Sequence, residues 1–189
     1  MKILAVHGKA QSGKSTTVAK VIEIYEKEGL KAAEANFADR LKDAVAFIFR
    51  IPRELMNTTS GKETVLPHFK MTIREVLQKF GTEGCREIYE DIWVWNLRQT
   101  IQEFRDKKYD IVCIGDMRFP NEYWAMRGDA AVLLKTTRPN HTIKEDLHSS
   151  ETALDHIKVW DSICTANTSE KVEAHAERLA QDIISGLIT

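Results

Sequence analysis

The run Gly8-Lys9-Ala10-Gln11-Ser12-Gly13-Lys14-Ser15, followed by Thr16, constrains this chain more than any other stretch. It fits the P-loop pattern G-x-x-x-x-G-K-[ST] at every fixed position. Ile3-Leu4-Ala5-Val6 ahead of it reads as a buried strand, and the residues from Ser15 onward read as a helix. The two glycines let the backbone curl until its N–H groups point inward at a phosphate chain. The helix N-terminus behind them adds partial positive charge and unpaired donors. Lys14 then reaches the β- and γ-phosphates, and the Ser15 hydroxyl is placed to ligate Mg²⁺. An ordinary glycine-rich turn would leave the lysine after the second glycine unexplained.

With 189 residues the chain is expected to form a single domain with a substantial core. Its 43% hydrophobic and 29% charged residues are those of a globular protein. A net charge of -1 argues against a protein that coats nucleic acid, so no duplex partner is expected. Cys85, Cys113 and Cys164 are odd in number and far apart, which suggests reduced thiols in a cytoplasmic compartment. The first strand begins at residue 2, leaving no room for a signal peptide, and no apolar run approaches the ~20 residues of a membrane span.

Val18, Val21, Ile22 and Tyr25 recur at helical spacing, so the helix after the P-loop is amphipathic and is expected to stop near Gly29. Residues 30–37 give a second strand. Asp39 is placed to cap a helix with Leu41, Ala44, Val45 and Ile48 on one face, and residues 57–69 read as a long loop. Thr72-Ile73-Arg74-Glu75 is a capping box. It opens a short helix that buries Ile73, Val76, Leu77 and Phe80 and ends at Gly81. A longer helix starts near Asp91, its inner stripe being Val94, Leu97, Ile101 and Phe104. Ile111-Val112-Cys113-Ile114 is an uninterrupted apolar run, as expected of a strand covered on both faces, and Gly115-Asp116 ends it. Pro120 opens a helix that Gly128 closes. Residues 130–136 and 161–166 give two more strands, and residues 169–187 a last helix. Five strands alternating with helices predict a parallel α/β sheet. The helical stretch near 39–105 and the polar stretch 138–156 break the alternation. Inserts at the C-terminal ends of strands fall over the ligand crevice of such a sheet.

Several residues carry candidate chemistry. Asp116 follows a strand and is placed either to hold Mg²⁺ or to cap the next helix. Arg118 suits bidentate contact with phosphate, or an ion pair with Asp116 or Glu122. Glu122 reads either a sugar or base, or is an acid favoured in a first helical turn. Arg74 and Arg86, taken alone, are surface charges more often than ligands, and Trp93 and Trp95 are core or interface aromatics more often than base-stacking ones. If the acceptor is a phosphate monoester, with its second pKa about 6, it is already a dianionic nucleophile at pH 7. Catalysis then reduces to positioning, charge neutralisation and exclusion of water. There is no Asn-Lys-x-Asp guanine motif, which disfavours a GTPase-like switch.

Gly8 to Thr16, Phe37-Ala38-Asp39-Arg40-Leu41-Lys42, Leu77-Gln78-Lys79-Phe80-Gly81-Thr82, Asp91-Ile92-Trp93 and Asp116 to Glu122 together resemble the phage-type deoxynucleoside monophosphate kinases, in that family's order. The resemblance implies a P-loop NTPase three-layer sandwich with a five-stranded parallel sheet. Its core would be residues 1–38, 106–137 and 157–189, with an acceptor-binding insert at 39–105 and a lid at 138–156 that carries His141, Lys144 and His148. It implies an enzyme that phosphorylates deoxynucleoside monophosphates with ATP and Mg²⁺. Ala10, Gln11, Ser12, Gly13, Lys14, Ser15 and Thr16 would bind ATP, Arg138 would stack on adenine and Asn167 would lie at the adenine edge. Ser15 and Asp116 would hold the metal. Phe37, Lys42, Arg74, Gln78, Gly81, Thr82, Arg86, Trp93 and Glu151 would line the acceptor site, with Asp116, Arg118 and Glu122 near its phosphate and sugar. Lys14, Arg118 and Asp116 would be catalytic. Two other classes remain open at this point: a P-loop kinase of another small metabolite, and a nucleotide-binding module acting on bases in DNA. A homodimer built on the helix from Trp93 to Phe104 is a further option.

Overall fold

The computed structural model describes residues 1–139 and 152–188. In chain order the elements are β1 (Lys2–His7), α1 (Lys14–Lys27), β2 (Ala32–Glu34), α2 (Asp39–Phe49), a 3₁₀ turn (Arg53–Asn57), α3 (Thr59–Lys62), β3 (Val65–Leu66), β4 (Met71–Thr72), α4 (Ile73–Gln78), a π-helical segment (Lys79–Cys85) and α5 (Arg86–Ile88). They continue with α6 (Ile92–Asp106), β5 (Ile111–Met117), α7 (Pro120–Gly128), β6 (Val132–Thr137), β7 (Ser162–Thr165) and α8 (Ser169–Ile184). The chain divides into two compact units, one of Met1–Asn36 with Arg98–Thr189 and one of Phe37–Leu97. No helix among the described residues is long and apolar enough to cross a membrane.

The first unit is an α/β fold of the P-loop NTPase class. Its five strands lie in the order β2-β5-β1-β6-β7, every neighbouring pair parallel. Parallel pairing needs a crossover between successive strands, and the helices supply it. Leu4 and Val6 of β1, Ile111 and Cys113 of β5 and Val132 and Leu134 of β6 bury one sheet face against Val18, Val21 and Tyr25 of α1 and Val172, Ala176, Leu179 and Ile183 of α8. Ile3, Ala5, Val112, Ile114 and Leu133 alternate with them and are buried too, so both faces are covered. The central strands β1, β5 and β6 therefore read as continuous apolar runs. Their C-terminal ends gather on one edge, where the loops that follow β1, β5 and β6 begin.

The second unit packs Val45 of α2, Ile51, Met56, and Ile73 and Val76 of α4 into its own core, with Leu41, Phe49, Leu66 and Phe80 against it. Thr72 caps α4 as expected. Its Oγ1 accepts from Glu75 N at 3.2 Å, while its own N donates to Glu75 Oε2 at 2.7 Å. Four expectations are corrected here. Residues 57–69 are not one long loop. Thr58 Oγ1 accepts from Gly61 N and nucleates α3, and Val65 pairs with Thr72 in a two-residue antiparallel ladder. Asp39 does not cap α2: Ala38 is the N-cap, and Asp39 in the first turn accepts from Arg53 Nη2 at 3.2 Å. The helix begun by Thr72 does not end at Gly81 but runs on as the π-helical segment into α5. Ile48 lies on the exposed side of α2, because the buried stripe is centred on Val45.

Candidate nucleotide site

β1 ends at His7 and α1 begins at Lys14, so the P-loop is the turn between them. Gly8 lies so close to β6 that a Cβ there would sit 2.2 Å from Thr136 Oγ1 and 2.6 Å from Thr136 O. Gly13, the N-cap of α1, has φ +99°, a conformation that L side chains rarely adopt. Neither cap side chain nor first-turn acid covers the N-terminus of α1, which is how a helix end reads when an anion is to occupy it. Lys14 folds back over the loop, its Nζ donating to Gly8 O at 2.6 Å and Lys9 O at 2.8 Å. The ammonium is thereby held over the centre of the turn.

A buried hydrogen-bond chain fixes the crest of the loop. Thr136 Oγ1 donates to His7 O at 3.1 Å. A hydroxyl has one proton, so the 2.8 Å contact between Ser12 Oγ and Thr136 Oγ1 has Ser12 as donor. Ser12 is buried for that reason, although it sits in a turn.

A cleft of about 310 Å³ opens above this loop. It is lined by residues 11–16, by Arg138 after β6, and by Ala166, Asn167, Thr168, Ser169 and Val172 at the start of α8. Arg138 Nη2 donates to Asn167 O at 3.4 Å, which ties the two walls. None of these lining residues is acidic, while Lys14 and Arg138 are cationic, and the N-termini of α1 and α8 both border the cleft. Thus Gln11, Ser12, Gly13, Lys14, Ser15, Thr16, Arg138 and Asn167 come together from segments more than 120 residues apart in sequence. Ala10 is not among the lining residues.

β5 carries the next group, and the strand is irregular there. The strand runs to Met117 rather than ending at Gly115, and its register against β1 steps from Ala5↔Ile114 to His7↔Met117. Val6 is therefore opposed by both Gly115 and Asp116, a bulge in β5. Such a bulge re-aims side chains and recurs beside active sites. Asp116 lies in this bulge, one strand from the P-loop, and it does not cap α7. Phe119 is the N-cap and Glu122 does the capping. Glu122 is only 2% exposed. Its Oε2 accepts from Arg118 N at 2.7 Å and Phe119 N at 3.0 Å. Of the two readings of Glu122, the structure supplies the first-turn one, and through it Glu122 fixes the backbone at Arg118.

In the second unit, Trp93 is 6% exposed and its Nε1–H donates to Gly81 O at 3.1 Å. It acts on the π-helical segment, which holds Gly81 and Thr82, rather than presenting an open ring face. Trp95 is the exposed one of the pair. Phe37 is buried. Lys42 Nζ donates to Asn57 Oδ1 at 3.3 Å, Arg74 Nε to Glu63 Oε1 at 2.7 Å, and Arg86 Nη1 to Glu90 O at 3.1 Å. Gln78 closes α4. Arg53, which the sequence did not single out, donates to Asp43, Asn57 and Asp39 and is the hub of this surface. Its partners lie 14 and 10 residues before it and 4 residues after it, a spacing that follows no single helical face and leaves no local signal in the sequence. Glu151, like His141, Lys144 and His148, lies outside the described residues.

Two thiols lie in the core: Cys113 is buried, and desolvation pushes its pKa up. Among the described residues no group of three or more His, Cys, Asp or Glu could hold a metal ion.

Comparison with known proteins adds three results. Solved structures with a similar fold include the dephospho-CoA kinase from Campylobacter jejuni, at 18% identity and TM-score 0.52, covering 98% of this chain and 99% of that one. The APS kinase of Mycobacterium tuberculosis, as a Cys556Ala mutant, aligns at 14% identity and TM-score 0.47 over 100% of this chain and 97% of its own. A sugar kinase from Janibacter sp. aligns at 16% identity and TM-score 0.49 over 100% of this chain and 99% of its own. No curated protein matches the sequence. A family model described as deoxynucleotide monophosphate kinase matches residues 53–175. That match takes in the π-helical segment, the β5 bulge, Arg138 and Asn167, and it lies wholly after the P-loop, so the two signals are independent. The chain belongs to the deoxynucleotide monophosphate kinase family.

Proposed function

We propose that this kinase transfers the γ-phosphoryl group of ATP, with Mg²⁺, directly to the 5′-phosphate of a deoxynucleoside monophosphate. The observation that carries the reading is a cleft with no acid among its described lining residues, in which the P-loop, Arg138 and Asn167 form one wall-to-wall site of a size suited to a nucleotide. An oxygen of the acceptor phosphate attacks the γ-phosphorus in line, the bond to the β,γ-bridging oxygen breaks, and ADP leaves with its electron pair. The acceptor needs no general base, since its second pKa is about 6 and it is dianionic at pH 7. What the chain must supply is placement and charge. Lys14 swings from the loop carbonyls to the β- and γ-phosphates. Arg118, on a backbone fixed by Glu122, neutralises charge on the transferring group.

The donor set fits Mg²⁺ of the kind held mostly by phosphate oxygens and water. Ser15 is an exposed hydroxyl on the cleft, Asp116 is a single carboxylate at the bulge, and no all-protein cage is formed among the described residues. Bound there with the triphosphate, the ion would offset charge on the β- and γ-oxygens. Arg138 and Asn167 hold the donor base. The acceptor falls to the second unit, to Lys42, Arg74, Gln78, Gly81, Thr82 and Arg86. The family match and a π-helical segment of the kind that marks functional sites support this assignment. The test is coupled ADP formation from Mg·ATP with four deoxy- and four ribonucleoside monophosphates. Turnover confined to deoxynucleotides is expected. A flat panel with ATP binding intact would move the acceptor to another class of metabolite.

A further inference from the structure

The bulge in β5 is held from both sides by side chains that no part of the site yet uses. On the β2 side, Asn36 Oδ1 accepts from Gly115 N at 3.0 Å. A bulge takes an amide out of the ladder, and a buried N–H must find a partner. On the β1 side, His7 Nδ1 lies 3.0 Å from Met117 O. A carbonyl only accepts, so the imidazole is the tautomer with its proton on Nδ1. His7 is 3% exposed, immediately precedes Gly8, and its ring stacks on Trp160 with centroids 5.4 Å apart and planes 16° from parallel.

We propose that His7 is a positioning residue for phosphoryl transfer: its Nδ1–H grips the Met117 carbonyl, and so sets Asp116 on one side of that residue and Arg118 on the other. The peptide it grips joins Met117 to Arg118, and the residue before it is the bulged Asp116. His7 is also the last residue before the P-loop, so one ring couples the two halves of the donor machinery. Burial holds the imidazole pKa down to about 4, so the ring that donates from Nδ1 is neutral through the physiological range. The ring of Trp160 packs on the imidazole face, whereas the hydrogen bond to Met117 O both holds the imidazole and does the aiming.

This inference rests on the proposed function, and the experiment separates their failures. His7→Phe keeps an aromatic ring and loses the donor. His7→Asn loses the ring and keeps an N–H at nearly the Nδ1 position. Trp160→Leu removes the stack and leaves the donor. His7→Phe is expected to lower kcat about 10- to 100-fold, the scale of an ångström-sized misplacement, with KM for ATP close to wild type because the cleft walls are unchanged. His7→Asn is expected to recover most of that loss, and Trp160→Leu to turn over near the wild-type rate. Equal kcat in His7→Phe and wild type overturns the inference, as does a His7→Asn enzyme no better than His7→Phe. A second readout needs no variant to fold. Imidazole ¹⁵N NMR of the wild-type protein is expected to show the neutral Nδ1–H tautomer from pH 5 to 8, and the Nε2–H tautomer would overturn the grip. Wild-type protein inactive on every nucleotide would instead count against the proposed function.

Discussion

Thr136→Val removes one hydroxyl and nearly nothing else, and its cost can be worked from the structure. The hydroxyl joins Ser12 Oγ at 2.8 Å to His7 O at 3.1 Å, all three groups buried. Valine has the same shape, so no cavity opens. What remains is a Ser12 hydroxyl without its acceptor and a His7 carbonyl that has lost a donor. Leaving a buried polar group unsatisfied costs about 1–3 kcal/mol. The two orphans sit in one network and do not add fully, so the expected destabilisation is about 2–4 kcal/mol. With a urea m-value of about 2 kcal/mol/M, the midpoint falls by roughly 1–2 M. Thr136→Ser keeps the hydroxyl and serves as the control, expected within about 1 kcal/mol of wild type. Ser12 also lines the cleft, so Thr136→Val is expected to weaken ATP binding while Thr136→Ser does not. The assay is urea unfolding of the three proteins followed by fluorescence, with ATP titrations on each. A Thr136→Val midpoint within about 0.3 M of wild type, or equal shifts for Val and Ser, would refute the claim that this hydroxyl holds the loop crest.

Further outcomes follow from the same geometry. Gly13→Ala forces φ +99° on an alanine and brings its Cβ to 2.9 Å from Val172 Cγ2; a loss of about 1–3 kcal/mol is expected in thermal or urea unfolding, with weaker ATP binding. Lys14→Ala is expected to abolish turnover, and Arg118→Ala to lose at least ~10²-fold in kcat; near-normal kcat for Arg118→Ala would remove that residue from the mechanism. The depressed His7 pKa makes stability depend on pH. Between its ordinary value of 6.5 and about 4 the unfolded chain binds a proton that the folded chain does not. The contribution is therefore complete above pH 6.5 and lost as pH falls towards 4, worth about 3 kcal/mol across that window. Urea midpoints of wild type and His7→Asn from pH 7 to 4.5 check it: the wild-type slope is expected to be the steeper, and parallel slopes would refute it.

The P-loop was legible because its pattern carries its own geometry: two glycines where side chains clash or φ turns positive, then a helix. The five parallel strands were legible because β1, β5 and β6 are covered on both faces and so read as apolar runs. The register of β5 against β1 was not, since parallel pairing joins residues more than 100 positions apart and leaves no local trace. The bulge, and with it the roles of His7 and Asn36, was invisible for that reason. Glu122 was ambiguous because a first-turn acid and a ligand-reading acid look alike in sequence. Residues 57–69 were misread because Thr, Ser, Gly and Pro mark turns, and here those turns are closed by a Thr58 cap and a short ladder. Ile48 was misplaced because helical spacing around Val45 leaves two flanks, and packing chose the other.

The reaction proposed passes phosphate from ATP to the phosphate of a nucleotide. Incubating the protein with ATP labelled in the γ-phosphate and a deoxynucleoside monophosphate, then identifying the labelled product, tests it most directly. The expected product is a deoxynucleoside diphosphate labelled in its β-phosphate, with ADP formed in equal amount. Label found only in inorganic phosphate, or on the sugar hydroxyl of the acceptor, would contradict it.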